Sequence, residues 1–161
     1  MSTKWNREDI GKNYLNHALR NKFGHIFEYA CECGKDIVVF AETLLQDDLF
    51  DDYFLDNIVQ SQSHKYIYDL FAEEEIFATI PDKPNAIYDK DIAYWMGYLI
   101  AEWHQLEDIS GKEIVEYGIQ GIYDDYIASH TVSVPLAIEF IKDCGKVADR
   151  EKDQQNDCEK E

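Results

Sequence analysis

KDIAYWMGYLIAEWHQLE, residues 90–107, is the stretch of sequence that decides the fold. Drawn as a helix, it is apolar nearly all round, which is typical of a helix surrounded by the rest of its domain. Asp89 stands before it in the position of an N-cap. Gly97, in its middle, costs about 1 kcal/mol relative to alanine in a helix interior. We therefore expect a central helix with a neighbouring backbone packed closely against Gly97.

Apolar residues recur at helical spacing on both sides of this segment, and the capping signals agree with them. We expect helices at residues 13–32, 36–46, 47–59 and 64–72, a short helix opened by a capping box at Ser110, another near 122–128, and a last one after Ser133. Ile37–Phe40 fits a short strand as well as a helix, and periodicity leaves both open. The sequence therefore predicts an all-α fold, a single compact multi-helix domain built around the central helix.

The two ends of the chain differ from this helical part. Residues 1–12 are polar, and we expect them to be the loose N-terminus of one domain that covers residues 1–145. Residues 146–161 contain no aromatic residue and are expected to form a disordered acidic tail. The loop around Pro81 and Pro84 is too short to link two domains.

The sequence also indicates a cellular compartment. Residues 1–13 lack the apolar core of a signal peptide, and the longest apolar run, residues 92–101, is too short to span a bilayer. The four cysteines, Cys31, Cys33, Cys144 and Cys158, are not spaced as a disulfide framework. We therefore expect a cytoplasmic protein with free thiols and no membrane contact.

Charge is the unusual property of this chain. Its 33 acidic residues outnumber 15 basic ones, which gives a net charge of −18 and opposes direct contact with nucleic acid. Residues 42–75 hold ten acidic residues and one basic residue, so half of the net charge lies there. Within the helix expected at 47–59, one half of the surface carries five aspartates: Asp47, Asp48, Asp51, Asp52 and Asp56. We expect this acidic face to bind a basic protein partner, the alternative being a face that only keeps the protein soluble.

A second candidate site lies in the one region with a local basic excess. Arg20-Asn21-Lys22-Phe23-Gly24-His25 resembles the R-N-x-x-x-H element of HEPN-type ribonucleases, which are small all-α proteins. In that family the His and the Arg act on the RNA 2′-hydroxyl and the scissile phosphate. The resemblance thus implies a metal-independent ribonuclease with Arg20 and His25 as catalytic residues.

No metal or cofactor site is predicted. His104 and Glu107 are half a metal site at best, and Cys31-x-Cys33 has no second pair to complete a zinc site. Asp47 and Asp48 open a D-D-x-x-D pattern like that of isoprenoid synthases, but the second acidic motif of those enzymes is missing. The chain has no Gly-rich phosphate loop and no nucleophile elbow.

Residues 92–142 carry a family resemblance. Tyr94-Trp95-Met96-Gly97-Tyr98, Trp103 and Gly111-Lys112-Glu113-Ile114 resemble the Y-W-x-G-Y core of a group of small bacterial proteins that are antitoxin-like by gene context. The resemblance implies partner binding and transfers no catalytic residue. The function predicted from the sequence is therefore that of a non-enzymatic acidic binding protein, an antitoxin-like neutraliser of a basic partner. The alternatives are the HEPN-like ribonuclease and a DNA-mimic protein whose carboxylates imitate phosphates.

Overall fold

The computed structural model describes residues 7–82 and 88–145 of the chain, without the side chains of residues 7–14, 57 and 58. These residues form α-helices, one 3₁₀ helix and no strand beyond an isolated bridge between Lys35 and Asp82. The helices are α1 (Arg7–Glu32), α2 (Ile37–Gln46), α3 (Asp48–Leu55), α4 (Asn57–Gln60), α5 (His64–Ala72), the 3₁₀ helix Glu75–Thr79, α6 (Lys90–Glu107), α7 (Gly111–Tyr117), α8 (Ile119–Asp124), α9 (Tyr126–Ser129) and α10 (residues 134–145). The all-α prediction is confirmed, and the helices share one hydrophobic core.

The core is organised around the pair α1 and α6, which run antiparallel. Arg20 pairs with Glu102, while further along α1 the thiol of Cys31 donates to the carbonyl of Tyr88, just before α6 begins. Asp89 caps α6 as predicted, its carboxylate accepting from the backbone N–H of Asp91 at 2.7 Å. Most of the inward side of α6 is fully buried, including Ala93, Met96, Leu99, Ile100 and Trp103. This confirms the central helix.

The close approach expected at Gly97 is also confirmed. A Cβ atom added there would lie 3.0 Å from the Cα atom of Gly24 and 2.9 Å from Cγ of Phe27. The partner is therefore α1, and the two glycines meet where the helices cross.

The choice left open at Ile37–Phe40 is settled in favour of a helix. Asp36 is the N-cap of α2, and its buried carboxylate accepts hydrogen bonds from the N–H groups of Val38 and Val39. Ile37, Val38 and Phe40 are all buried, which explains why this segment is uniformly apolar. The end of α2 packs directly against the start of α7. A Cβ atom added to Gly111 would lie only 2.1 Å from the carbonyl oxygen of Leu45.

Three predicted boundaries were wrong. The helix expected near 122–128 is two helices, α8 and α9, with Asp125 between them. Helix α1 begins at Arg7, so the segment expected to be loose is helical from that residue on, and residues 1–6 lie outside the described part. The single helix expected at 47–59 is broken at Asp56, whose extended backbone (φ −100°, ψ 105°) ends α3 before α4 begins. The tail predicted for residues 146–161 lies outside the described residues.

Candidate functional site

Helix α3 presents the aspartates singled out from the sequence. Its inward side is fixed by Phe50 and Tyr53, both fully buried, and the Tyr53 hydroxyl donates to the carbonyl oxygen of Leu19 on α1 at 2.8 Å. This cross-helix hydrogen bond and the aromatic packing set the rotation of α3. The opposite side of the helix therefore faces away from the core.

The five aspartates divide into two groups. Asp47 is the N-cap of α3, and its carboxylate accepts from the N–H of Leu49 at 3.0 Å. Asp56 is the C-cap, and its carboxylate accepts from the N–H of Val59 at 3.3 Å. Asp48, Asp51 and Asp52 are exposed, and none of them forms a salt bridge with another residue of the described ranges. We call these three residues the acidic face.

Exposed leucines occur on the helices that meet at α3. Leu55, at the end of α3, is 79% exposed, and the preceding Phe54 packs on the ring of His104 in α6, with centroids 4.6 Å apart. Leu106 on α6 and Leu15 on α1 are also exposed, but Leu106 lies about half a turn from His104 and therefore on the side of α6 that faces away from α3. Leu55 follows Asp51 by one turn, so the acidic face has one exposed apolar side chain on its own helix.

Arg20, one of the two residues of the ribonuclease-like motif, is engaged within the fold. Its Nη1 lies 3.1 Å from Oε1 of Glu102, and its Nε donates to the side-chain carbonyl of Gln105. The side chains of Arg20 and Glu102 are only 15% and 13% exposed. Desolvation raises the pKa of Glu102, although Arg20 and His17 act in the opposite direction. The guanidinium thus serves to compensate a largely buried carboxylate.

His25, the other residue of that motif, has different neighbours. Its ring lies 5.0 Å from that of Tyr94 and 5.4 Å from that of His64, and its Nδ1 is 3.6 Å from Oε1 of Glu28. Five residues along a helix correspond to a rotation of about 140°. Arg20 therefore contacts Glu102 and Gln105, whereas His25 contacts Tyr94 and His64. The structure does not bring the two side chains together at one site.

His25 instead lines a cleft of about 400 Å³ between α1, the start of α6 and the end of α9. The cleft is lined by two imidazoles, two carboxylates and three aromatic rings: His25, His130, Glu28, Asp91, Tyr94, Trp95 and Tyr126. Sequence reasoning singled out only His25 for chemistry. The other six come from three separate segments, and although residues of one segment are three or four positions apart, no sequence pattern joins the segments.

Three further observations bear on the class of the protein. Across residues 7–82 and 88–145, no helix combines the length and apolarity needed to cross a membrane. Within the same ranges, no group of three or more His, Cys, Asp or Glu side chains is arranged to hold a metal ion. No protein-family model, curated protein or solved structure matches the chain.

Proposed function

We propose that this chain is a non-enzymatic binding protein that holds a basic protein partner on the acidic face of α3. The observation that carries the proposal is the state of Asp48, Asp51 and Asp52, which are exposed and form no salt bridge with any described residue. Asp48 and Asp52 are one turn apart, and such a like-charge pair destabilises a helix by about 0.2–0.5 kcal/mol. An arrangement that costs stability in the free protein suits a surface that is neutralised when a partner binds.

An exposed leucine at the end of α3 supports the same proposal. A protein–protein interface combines charged groups, which accelerate and orient the encounter, with apolar contacts that exclude water. Leu55, which lies one turn after Asp51 on the same helix and is 79% exposed, would supply such a contact beside the acidic face. The resemblance of residues 92–142 adds an antitoxin-like role, in which the bound partner is neutralised because its basic surface is covered.

Of the two alternatives, the ribonuclease is disfavoured, because Arg20 is committed to Glu102 and Gln105 and is separated from His25. The DNA-mimic reading shares the acidic face with our proposal and differs in the partner, which would be a DNA-binding protein. It predicts that duplex DNA competes for the partner's surface.

The test compares three forms of the full chain as bait in a nuclease-treated extract of its source cells. The forms are the wild type, the charge reversal Asp48→Lys/Asp51→Lys/Asp52→Lys, and the matched reversal Glu73→Lys/Glu74→Lys/Glu75→Lys. All six residues are exposed, and both variants change the net charge equally. Retained proteins are quantified by mass spectrometry after washes of rising salt, and circular dichroism checks that each bait is folded.

We expect one basic protein to be retained by the wild type and the Glu73–75 variant, lost from the α3 variant, and released by salt. Equal retention by all three baits would show that the acidic face is not the contact surface. If no protein is enriched on any bait, the binding function itself is wrong. Release of the partner by duplex DNA would identify a DNA mimic.

A further inference from the structure

The cleft beside His25 lies apart from the acidic face and has its own chemistry. Its aromatic walls are fixed before any ligand arrives. The Tyr94 hydroxyl donates to the side-chain oxygen of Asn21, and its ring lies over Gly24, where a Cβ atom would come within 2.7 Å of it. A tyrosine is uncharged in neutral solution, and burial raises the pKa of Tyr94 further above neutrality.

The wall on the other side is a stack of rings. Trp95 packs edge-on against Tyr126, with centroids 5.5 Å apart, and His130 stacks on Tyr126 at 4.3 Å. Nδ1 of His130 lies 2.7 Å from the carbonyl oxygen of Tyr126, which holds the imidazole in this stack. A site with walls held in this way loses little conformational entropy on binding.

The charge of the cleft selects the ligand. Glu28 and Asp91 contribute two carboxylates, and no Lys or Arg is among the lining residues in the described part of the chain. An anion such as a phosphate would be repelled by these two carboxylates, with no Lys or Arg to offset them. A neutral apolar ligand would strip water from the carboxylates without replacing it. A cation with an apolar body satisfies both the carboxylates and the faces of the aromatic rings, which attract positive charge.

The volume of the cleft limits the size of its ligand. A cleft of about 400 Å³ is at the lower end of the range of about 300–1,000 Å³ that is usual for small-molecule sites. Two carboxylates, one from α1 and one from α6, favour a ligand with more than one ammonium group. We propose that this cleft binds a small aliphatic polyamine, with its ammonium groups on Glu28 and Asp91 and its methylene chain against Tyr94, Trp95 and Tyr126.

The test is calorimetric titration of the full chain with spermidine and with putrescine, and with 1,4-butanediol as an uncharged analogue of putrescine. Glu28→Gln/Asp91→Asn removes the charge of the cleft. Glu73→Gln/Glu74→Gln removes two equally negative, exposed groups at the end of α5 and is the matched control. Tryptophan fluorescence, compared between wild type and Trp95→Phe, reports whether the ligand lies in the cleft.

We expect saturable binding of one spermidine per chain, weaker binding of putrescine and none of butanediol. Affinity should fall about tenfold or more in the cleft variant and stay within about twofold in the control, because only the cleft carboxylates contact the ligand. The fluorescence change should disappear in Trp95→Phe while calorimetry still detects binding. Equal loss in both charge variants, or unsaturable binding, would show general attraction to an acidic protein and overturn the proposal. Binding of butanediol at the same affinity would overturn the cationic class of ligand.

This inference does not depend on the function proposed for α3. Loss of the protein partner in the Asp48/Asp51/Asp52 variant with intact spermidine binding would support both assignments separately. Spermidine binding by a chain that retains no protein partner would leave the cleft assignment standing alone.

Discussion

Gly24 on α1 and Gly97 on α6 meet at the crossing of the two longest helices, where a Cβ atom added to Gly97 would stand 3.0 Å from the Cα atom of Gly24. The same Cβ would lie 2.9 Å from Cγ of Phe27 and 3.0 Å from the carbonyl oxygen of Phe23. Neighbours on three sides, two of them backbone atoms, leave no direction in which a methyl group could be accommodated. The separation of α1 and α6 is therefore set by glycine at this point.

Gly97→Ala should destabilise the protein although alanine is the better helix former. Alanine gains about 1 kcal/mol of helix propensity, but overpacking a rigid crossing costs about 1–3 kcal/mol. We expect a net loss of up to about 2 kcal/mol in the free energy of unfolding, measured by urea denaturation followed by circular dichroism.

Gly121→Ala is the matched control, since Gly121 also lies within a helix but its Cβ would meet nothing within 4 Å. That variant should be unchanged or more stable by up to about 1 kcal/mol. If both alanine variants gain stability, the close approach of α1 and α6 is not a constraint.

Arg20→Met should destabilise the fold, because it leaves the carboxylate of Glu102 without its ion-pair partner. Glu102 is 13% exposed, and removing the partner of a buried charge typically costs 3–5 kcal/mol. The pair keeps some contact with solvent, so we expect a smaller loss, about 1–3 kcal/mol, in urea denaturation near neutral pH.

Adding Glu102→Gln to Arg20→Met should recover most of that loss, because the double variant buries no unpaired charge. A double variant as unstable as Arg20→Met alone would show that Arg20 contributes mainly through its packing.

Much of the helical framework could be predicted from the sequence because the signals are local. The caps Asp89 and Ser110 are short-range features, and both form as expected, Ser110 accepting from the N–H of Glu113. Gly97 indicated a close approach because glycine lowers the stability of a helix interior relative to alanine. Its partner could not be named, since the crossing with Gly24 joins residues far apart in the chain. The break at Asp56 was missed because the apolar pattern continues across it to Val59.

The candidate sites were only partly predictable for the same reason. Helical spacing placed five aspartates on one face, but only the structure separates Asp47 and Asp56, which cap the ends of α3, from the three exposed aspartates that cap neither end. Likewise, the motif containing Arg20 and His25 suggested a catalytic pair, whereas in the structure Arg20 forms an ion pair with Glu102. The lining residues of the cleft come from three segments far apart in the chain, so no single segment shows that they form one site.

Alkaline pH should destabilise the protein, because two buried tyrosines resist ionisation in the folded state. Burial raises the pKa of Tyr68 to about 12 and raises that of the fully buried Tyr53 as well, while an unfolded tyrosine ionises near 10. The fold therefore favours the neutral phenols. This contribution is complete below about pH 10 and is lost as the pH rises from there towards 12.

We expect urea midpoints to be steady up to about pH 9 and to fall steeply above about pH 10, with phenolate absorbance at 295 nm rising as the helical signal is lost. Tyr68→Phe, which removes one of these phenols, should weaken the dependence. A midpoint that does not move up to about pH 11.5 would contradict the assigned shifts.

The division of the aspartates of α3 into caps and acidic face can be tested by stability alone. Asp47→Ala removes the acceptor for the N–H of Leu49, and loss of such a cap should cost about 1 kcal/mol. Asp52→Asn instead relieves the like-charge contact with Asp48 one turn earlier, so the free energy of unfolding should rise by about 0.2–0.5 kcal/mol. Both are measured by urea denaturation at low ionic strength, and the gain in Asp52→Asn should shrink as salt is added.

If Asp52→Asn also weakens retention of the partner, Asp52 lowers the stability of the free protein and serves in binding. A loss of stability in Asp52→Asn would mean that this carboxylate supports the fold, and the acidic face would then be reduced to Asp48 and Asp51.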